Sequence, residues 1–87
     1  MNLNRDAIKA ALRAKVVELA RALDMDASGV ADDDLLPATG LLDSNAILEL
    51  VVWYEATYDF AIAQEDINID NLGSIDAMAD FLLSRKR

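Results

Sequence analysis

Apolar side chains recur every three or four residues along much of this chain, and this spacing restricts the fold to helices packed against helices. The first stripe follows Asn4, a residue type that caps helices, and runs to about Leu23. The buried stripes of three predicted helices are, in chain order, Ile8, Leu12, Val16, Leu19 and Leu23; Ile47, Leu48, Leu50, Val51, Tyr54 and Tyr58; and Ile75, Met78, Ala79 and Leu82. Gly73 precedes the third helix, Ser74 is its predicted cap, and Phe81 is expected to border its stripe.

Two irregular connections join these helices. In the long first connection, the leucines expected to fold back onto the core are Leu35, Leu36, Leu41 and Leu42. The second connection contains a short helical turn over residues 65–72, and its expected core contacts are Ile67, Ile69 and Leu72. The predicted fold is therefore all-α: a single domain, residues 1–87, forming a small bundle of three main helices plus one short helix, with a long loop between the first and second helices.

Histidine and cysteine are both absent from the 87 residues. Without them the chain cannot build a Ser-His-Asp centre, a Cys-His centre or the usual zinc sites. The longest apolar run, residues 47–54, is interrupted by Glu49 and is far shorter than a membrane span. The first six residues lack the apolar run of a secretion signal. We therefore expect a cytoplasmic protein that is not an enzyme, has no metal site and does not bind a membrane.

Charge is distributed unevenly along the chain, which has a net charge of −8. All eight basic residues lie within the first 21 or the last three positions, whereas residues 22–84 contain fourteen Asp and Glu and no Lys or Arg. Such a surface repels nucleic acids and anionic membranes and attracts proteins that have basic patches. An acidic surface also favours solubility, so partner binding and solubility are both interpretations of this pattern.

The acidic segment after the first helix has part of the pattern of a calcium-binding loop. Asp24, Asp26, Ser28, Gly29 and Asp32 match positions one, three, five, six and nine of an EF-hand. The twelfth position, which needs a bidentate glutamate, is a leucine, and a proline and a glycine interrupt the helix that should follow. The pattern therefore predicts a connecting loop rather than an EF-hand, and weak incidental binding of divalent cations stays open.

The start of the second helix contains the strongest candidate site. Gly40 interrupts the chain before it, and both Asp43 and Ser44 are N-cap residue types, so the helix is predicted to begin at one of them. Either start places the Ser44 hydroxyl at the exposed end of a helix. The simplest interpretation is that Ser44 only caps backbone N–H groups of the first turn.

A second interpretation comes from the wider segment, in which Gly40, two leucines and the pair Asp43-Ser44 open an amphipathic helix with Glu49 five residues after the serine. This segment resembles the attachment site of the acyl and peptidyl carrier proteins. The order and spacing of the helices also fit that family, so the resemblance covers nearly the whole chain. The family usually has a large apolar residue after the serine, and Asn45 departs from this pattern, which favours a specialised freestanding member.

The resemblance implies that 4′-phosphopantetheine is attached covalently to Ser44 and that Asp43 helps to present the serine. A phosphopantetheinyl transferase would attach the group. An adenylate-forming ligase or acyltransferase would load an acyl or aminoacyl cargo as a thioester, and a downstream synthase would accept it, each enzyme docking through basic patches. The chain itself would be a monomeric carrier without catalytic residues.

Two alternatives remain beside the specialised carrier. One is a housekeeping carrier of fatty acid synthesis. The other belongs to a different class: a non-carrier acidic helical adaptor or weak calcium-binding protein, in which Ser44 is only a cap.

The outer side of the second helix is the predicted partner surface. Val52 and Trp53 flank its outermost strip, so a large aromatic side chain is expected to be partly exposed near the serine, where tryptophan favours interfaces. The other interpretation is that Trp53 packs on a neighbouring loop. The predicted partner-binding residues are Leu42, Asn45, Glu49, Val52, Trp53, Glu55 and Ala56.

Overall fold

Helices make up most of the computed structural model, which describes residues 4–86. The three long helices are α1 (Arg5–Ala22), α3 (Ser44–Tyr58) and α5 (Ile75–Lys86), and the two four-residue helices are α2 (Leu36–Thr39) and α4 (Ile69–Leu72). A 3-10 turn, Gln64–Asp66, precedes α4. Residues 4–86 contain no strand, so the all-α prediction is confirmed. Residues 1–3, part of the segment predicted to lack a secretion signal, lie outside the described residues, as does Arg87.

Helix α1 begins and ends at recognisable caps. The Asn4 side chain accepts hydrogen bonds from the N–H groups of Asp6 at 2.8 Å and Ala7 at 3.3 Å, which confirms the predicted N-cap. At the other end Asp24 adopts a left-handed conformation with φ 59°, and the Met25 N–H donates to the Ala20 carbonyl at 2.8 Å. Asp24 therefore occupies a position where glycine is usual.

Replacing Asp24 with glycine is expected to stabilise the protein by about 0.5–1 kcal/mol, because glycine adopts positive φ without the steric cost of a Cβ atom. Urea unfolding measures the change. The control is Asp33→Gly, which removes the same charge at an exposed loop position that has no positive φ. If Asp24→Gly unfolds at the same or a lower urea concentration than the parent, the aspartate side chain stabilises this turn.

The core lies where the inner faces of α1, α3 and α5 meet. Helix α1 packs against both α3 and α5, and α4 packs against α5. Tyr54 is fully buried at the centre, where its hydroxyl donates to the Met78 carbonyl at 2.6 Å, and burial raises its pKa. The completely buried residues of α5 are the predicted stripe Ile75, Met78, Ala79 and Leu82, and Phe81 packs beside them as expected. The Ser74 hydroxyl accepts from the Ala77 N–H at 3.1 Å, which confirms that cap.

Two leucines predicted to be buried on the long helices are exposed. Leu23 is 39% exposed because it is the C-cap of α1, where the chain leaves the helical path. Leu48 is 62% exposed. It lies two residues before Leu50, and two residues turn a helix by about 200°, so the side chains point in nearly opposite directions. Leu50 faces the core, and Ala46, one turn before it, is buried as well.

The connections differ more from the prediction. Leu36 and Leu42 are buried and Leu41 packs against the core, but Leu35 is 47% exposed in the extended residue before α2. Helix α2 itself was not predicted, because Pro37 and Gly40 indicated a break. Proline is compatible with the first turn of a helix, which is where Pro37 lies.

The predicted single turn over residues 65–72 is two separate elements. Ile67 follows the 3-10 turn and Ile69 begins α4. They are 49% and 54% exposed, so they are not the core contacts that the sequence predicts. Only Leu72 packs against the core as expected.

Basic residues of α1 bind the long connection and α5 through ion pairs. The Lys9 ammonium lies 2.7 Å from a carboxylate oxygen of Asp32 and 3.0 Å from one of Asp76. The Arg13 guanidinium also pairs with Asp32, while Arg5 pairs with Asp76 at 3.2 Å and with Asp80 at 2.8 Å. These three cations therefore neutralise acids of their own chain.

The stabilising contribution of Asp32 is expected to disappear in acid. Hydrogen bonds from Lys9 and then from Arg13 lower the pKa of Asp32 in the folded chain. A carboxylate with a depressed folded pKa stabilises fully above its unfolded pKa, about 4, and loses that contribution as the pH falls towards the folded value. Asp32→Asn should therefore lower the melting temperature more at pH 7 than at pH 3. Thermal unfolding measures this, with Asp33→Asn as the control for charge, and equal differences at both pH values would contradict it.

Candidate functional site

Backbone contacts fix the segment that leads into α3. The Leu36 N–H donates to the Gly73 carbonyl at 2.8 Å, which joins α2 to the start of α5. The Thr39 hydroxyl donates to the Leu36 carbonyl at 2.7 Å and accepts from the Leu41 N–H at 3.2 Å. Gly40 then turns the chain with φ 74°, a backbone conformation that residues other than glycine rarely adopt. The start of α3 is therefore held in a defined position.

Ser44 is the first residue of α3, and its side chain is exposed. The N-cap is Asp43, whose carboxylate accepts a hydrogen bond from the Ala46 N–H at 2.8 Å. The prediction of a helix that begins at this pair is confirmed, but the simplest interpretation of Ser44, that it is the cap, is wrong. Because Asp43 performs the capping, the Ser44 hydroxyl projects at the helix end without that structural role.

The outer face of α3 begins one residue after the serine. We use this name for Asn45, Leu48, Glu49, Val52 and Ala56, all of which are exposed. Leu48 and Val52 leave 62% and 57% of their surface in solvent, so the centre of the face is apolar. An exposed apolar patch of this kind is typical of a protein interface. Sequence analysis placed four of the five residues here and missed Leu48.

Trp53 forms one wall of this face and is partly buried. Its ring contacts Tyr58 edge-on, with centroids 6.3 Å apart, and its other side lines a groove next to α1. The prediction that Trp53 is at least partly exposed is confirmed. The ring contact that the structure shows is with Tyr58, a residue of the same helix.

Two predicted partner-binding residues lie elsewhere. Leu42 is only 5% exposed and belongs to the core, so it is not part of the surface. Glu55 is partly buried, and its carboxylate accepts the Ile62 N–H at 2.9 Å, which holds the turn after α3. Sequence analysis assigned Leu42 both to the core and to the partner surface, and the core assignment is the correct one. The backbone partner of Glu55 lies seven residues away, so no local signal separated Glu55 from the exposed residues.

An apolar cleft of about 200 Å³ separates α3 from the chain around α4. Ile47 and Val51 line it from α3, and the exposed Ile67 and Ile69 line it from the other side. Ile47 follows Ser44 by three residues, so the cleft opens on the same side of α3 as the serine. Ile67 and Ile69 therefore form the wall of an apolar cleft whose opposite wall includes Ile47, a residue within one helical turn of Ser44.

The acidic loop after α1 uses several carboxylates in contacts of its own. Asp26 accepts the Ser28 N–H at 2.9 Å, Asp34 accepts the Ala31 N–H at 2.8 Å, and Asp32 pairs with α1. Among residues 4–86, no cluster of three or more carboxylates is arranged to hold a metal ion.

Comparison of the chain with protein-family models, curated proteins and solved structures finds no match. In the part of the chain that the structure describes, none of the helices has the length and apolar character required to cross a membrane.

Proposed function

We propose that this chain is a specialised acyl or aminoacyl carrier protein that holds its cargo as a thioester on 4′-phosphopantetheine attached to Ser44. One observation carries the proposal: Ser44 is exposed at the first position of a long helix whose cap is supplied by Asp43. At this position the hydroxyl is accessible to an enzyme and is not used as the helix cap.

Several features of the site fit the attached group. The Ser44 oxygen would form the new bond to phosphorus as a pyrophosphate bond of coenzyme A breaks, with its proton passing to the transferase and the nucleotide leaving. The group supplies the thiol that a chain without cysteine lacks. Asp43 and the buried leucines before it hold the serine at the surface, where an enzyme has access.

The surroundings also fit a carrier. The outer face of α3 gives partner enzymes an apolar surface with one acid, Glu49, for a basic residue. The cleft between α3 and α4 gives an apolar cargo a surface within one turn of Ser44. A flexible arm then raises the local concentration of the cargo at whichever enzyme docks, while this chain performs no chemistry itself.

Three main helices with a long connection after the first are the order that the sequence resemblance to the carrier family implies. Asn45, an exposed polar residue directly after the serine, favours a specialised carrier over the housekeeping carrier of fatty acid synthesis. We propose a phosphopantetheinyl transferase, an adenylate-forming ligase or acyltransferase, and a downstream synthase as the partners of a monomeric chain.

Intact mass spectrometry tests this function. The protein is incubated with coenzyme A, magnesium and a promiscuous phosphopantetheinyl transferase, and we expect a mass gain of one phosphopantetheine per chain. An unchanged mass, under conditions in which an established carrier is modified, would contradict the proposal.

Calorimetry with calcium tests the alternative class. A saturable heat at micromolar calcium, lost in Asp24→Ala and accompanied by an unchanged mass in the transferase experiment, would favour a calcium-responsive adaptor.

A further inference from the structure

Two depressions lie one after the other along the surface between α1 and α3, and we call the two together the α1–α3 groove. Leu23, the C-cap of α1, and Asn45 line the first depression, beside the candidate site, and Ala11 and Trp53 line the second. The end of α1 therefore lies by the start of α3, and the two helices run antiparallel. Ser44 and Trp53 are nine residues apart on α3, a rise of about 14 Å.

Small side chains form the floor of this groove, and charged residues form its edge. Ala11 and Ala14 line it on α1, beside an ion pair in which the Lys15 ammonium lies 2.6 Å from the Glu18 carboxylate. Trp53 forms the opposite wall and also borders the outer face of α3. The groove and the outer face are thus two parts of one surface that share the tryptophan.

Charge indicates what kind of molecule fits this surface. Two acids, Asp43 and Glu49, line the groove. Neither has an ion-pair partner among the described residues. A second copy of the chain would bring the same acids and a further net charge of −8. Three cations of α1, namely Arg5, Lys9 and Arg13, already pair with acids of their own chain. A protein that presents cations around an apolar side chain is therefore the complementary occupant.

We infer that the α1–α3 groove is part of the docking surface for the phosphopantetheinyl transferase, which places an apolar side chain between Ala11 and Trp53 and a cation near Glu49. An enzyme that acts on the Ser44 oxygen must cover the first turns of α3, and the groove opens there. The inference rests on the proposed function and adds α1 to the surface that partners recognise.

Two substitutions in the groove test the inference, namely Ala11→Arg and Ala14→Arg. Each fills the floor and adds a positive charge where a cationic partner would bind. With coenzyme A and a promiscuous transferase, we expect the KM for the carrier to rise about tenfold while kcat stays unchanged. The reason is that the lost contacts would stabilise the bound carrier and the transition state equally. The matched control is Ala31→Arg, an exposed alanine beside Asp32. Asp32 pairs with Lys9, which lies about 200° around α1 from Ala11, so this control is away from the groove and its KM should stay within about twofold of the parent.

The outcomes separate this inference from the function on which it rests. If the parent chain is modified and both groove variants match Ala31→Arg in KM, the groove is not part of the docking surface and the proposed function stands. If the parent chain is not modified, both are wrong. Ala14 is exposed, so Ala14→Arg decides the question even if Ala11→Arg fails to fold, and circular dichroism checks each variant.

Discussion

Replacing Ser44 with alanine is expected to abolish phosphopantetheine attachment completely and to change the free energy of unfolding by less than about 0.5 kcal/mol. The first effect follows because the hydroxyl oxygen forms the bond to the attached group. The second follows because Asp43, not Ser44, caps α3. Intact mass after transferase treatment measures the first effect, and urea unfolding measures the second.

Two control variants make this result specific. Ser84→Ala removes another exposed serine, whose hydroxyl donates to the Phe81 carbonyl at 2.7 Å, and should leave the mass gain unchanged. Asp43→Ala removes the cap and should destabilise the protein by about 1 kcal/mol. If Ser44→Ala destabilises as much as Asp43→Ala, or still gains the full mass, the assignment of roles to these two residues is wrong.

Leu50→Ala is expected to destabilise the protein by about 3 kcal/mol, since it removes a fully packed side chain and leaves a cavity in the core. Leu50 is 2% exposed between α3 and the other long helices. A loss of this size is a large part of the stability of a small domain. Urea unfolding measures it, and partial unfolding at 37 °C is the expected consequence.

Leu48→Ala on the same helix is the matched control and should cost less than about 0.5 kcal/mol. It makes the same chemical change at a residue that is 62% exposed. Equal losses for the two leucines would contradict the orientation of α3, and with it the position of the outer face beside Ser44. A small loss for Leu48→Ala together with a raised KM for the transferase would support its role in docking.

Local sequence signals predicted the helices well. Asn4, Asp43 and Ser74 are side-chain caps, and each lies at the start of a long helix as its residue type indicates. The stripe of α5 is buried in full because its residues recur at true helical spacing on one side. Helix caps and apolar periodicity depend on residues within one or two turns of each other, so both can be recognised from the sequence alone.

The faces and connections depend on distant partners, which the sequence does not show. Leu48 was predicted to be buried together with Leu50, although two residues at this spacing point to nearly opposite sides of a helix. Ile67 and Ile69 line a cleft rather than fill the core, since α4 packs on α5 and leaves a gap beside α3. Pro37 was interpreted as a break, yet it suits the first turn of α2.

In the candidate site too, local features were predicted correctly and features that depend on distant residues were not. The Asp43-Ser44 pair and the surface residues Asn45, Val52 and Trp53 were predicted from one stretch of chain. The structure places the pair at the start of α3 and brings Asn45, Val52 and the partly buried Trp53 to one surface of that helix. Leu42 and Glu55 were assigned to that surface wrongly. Leu42 was also predicted to contact the core, which is where it lies, and the bond from the Ile62 N–H to Glu55 arises only in the folded chain. The contribution of α1 to the groove is likewise a product of packing.

Fragmentation mass spectrometry of the transferase-treated protein is the most direct test of the Ser44 assignment. The chain contains four serines, Ser28, Ser44, Ser74 and Ser84, and the fragment masses show which of them holds the added group. Our account predicts that the entire added mass lies on Ser44. Added mass on any other serine, or fragments of unmodified mass throughout, would contradict it.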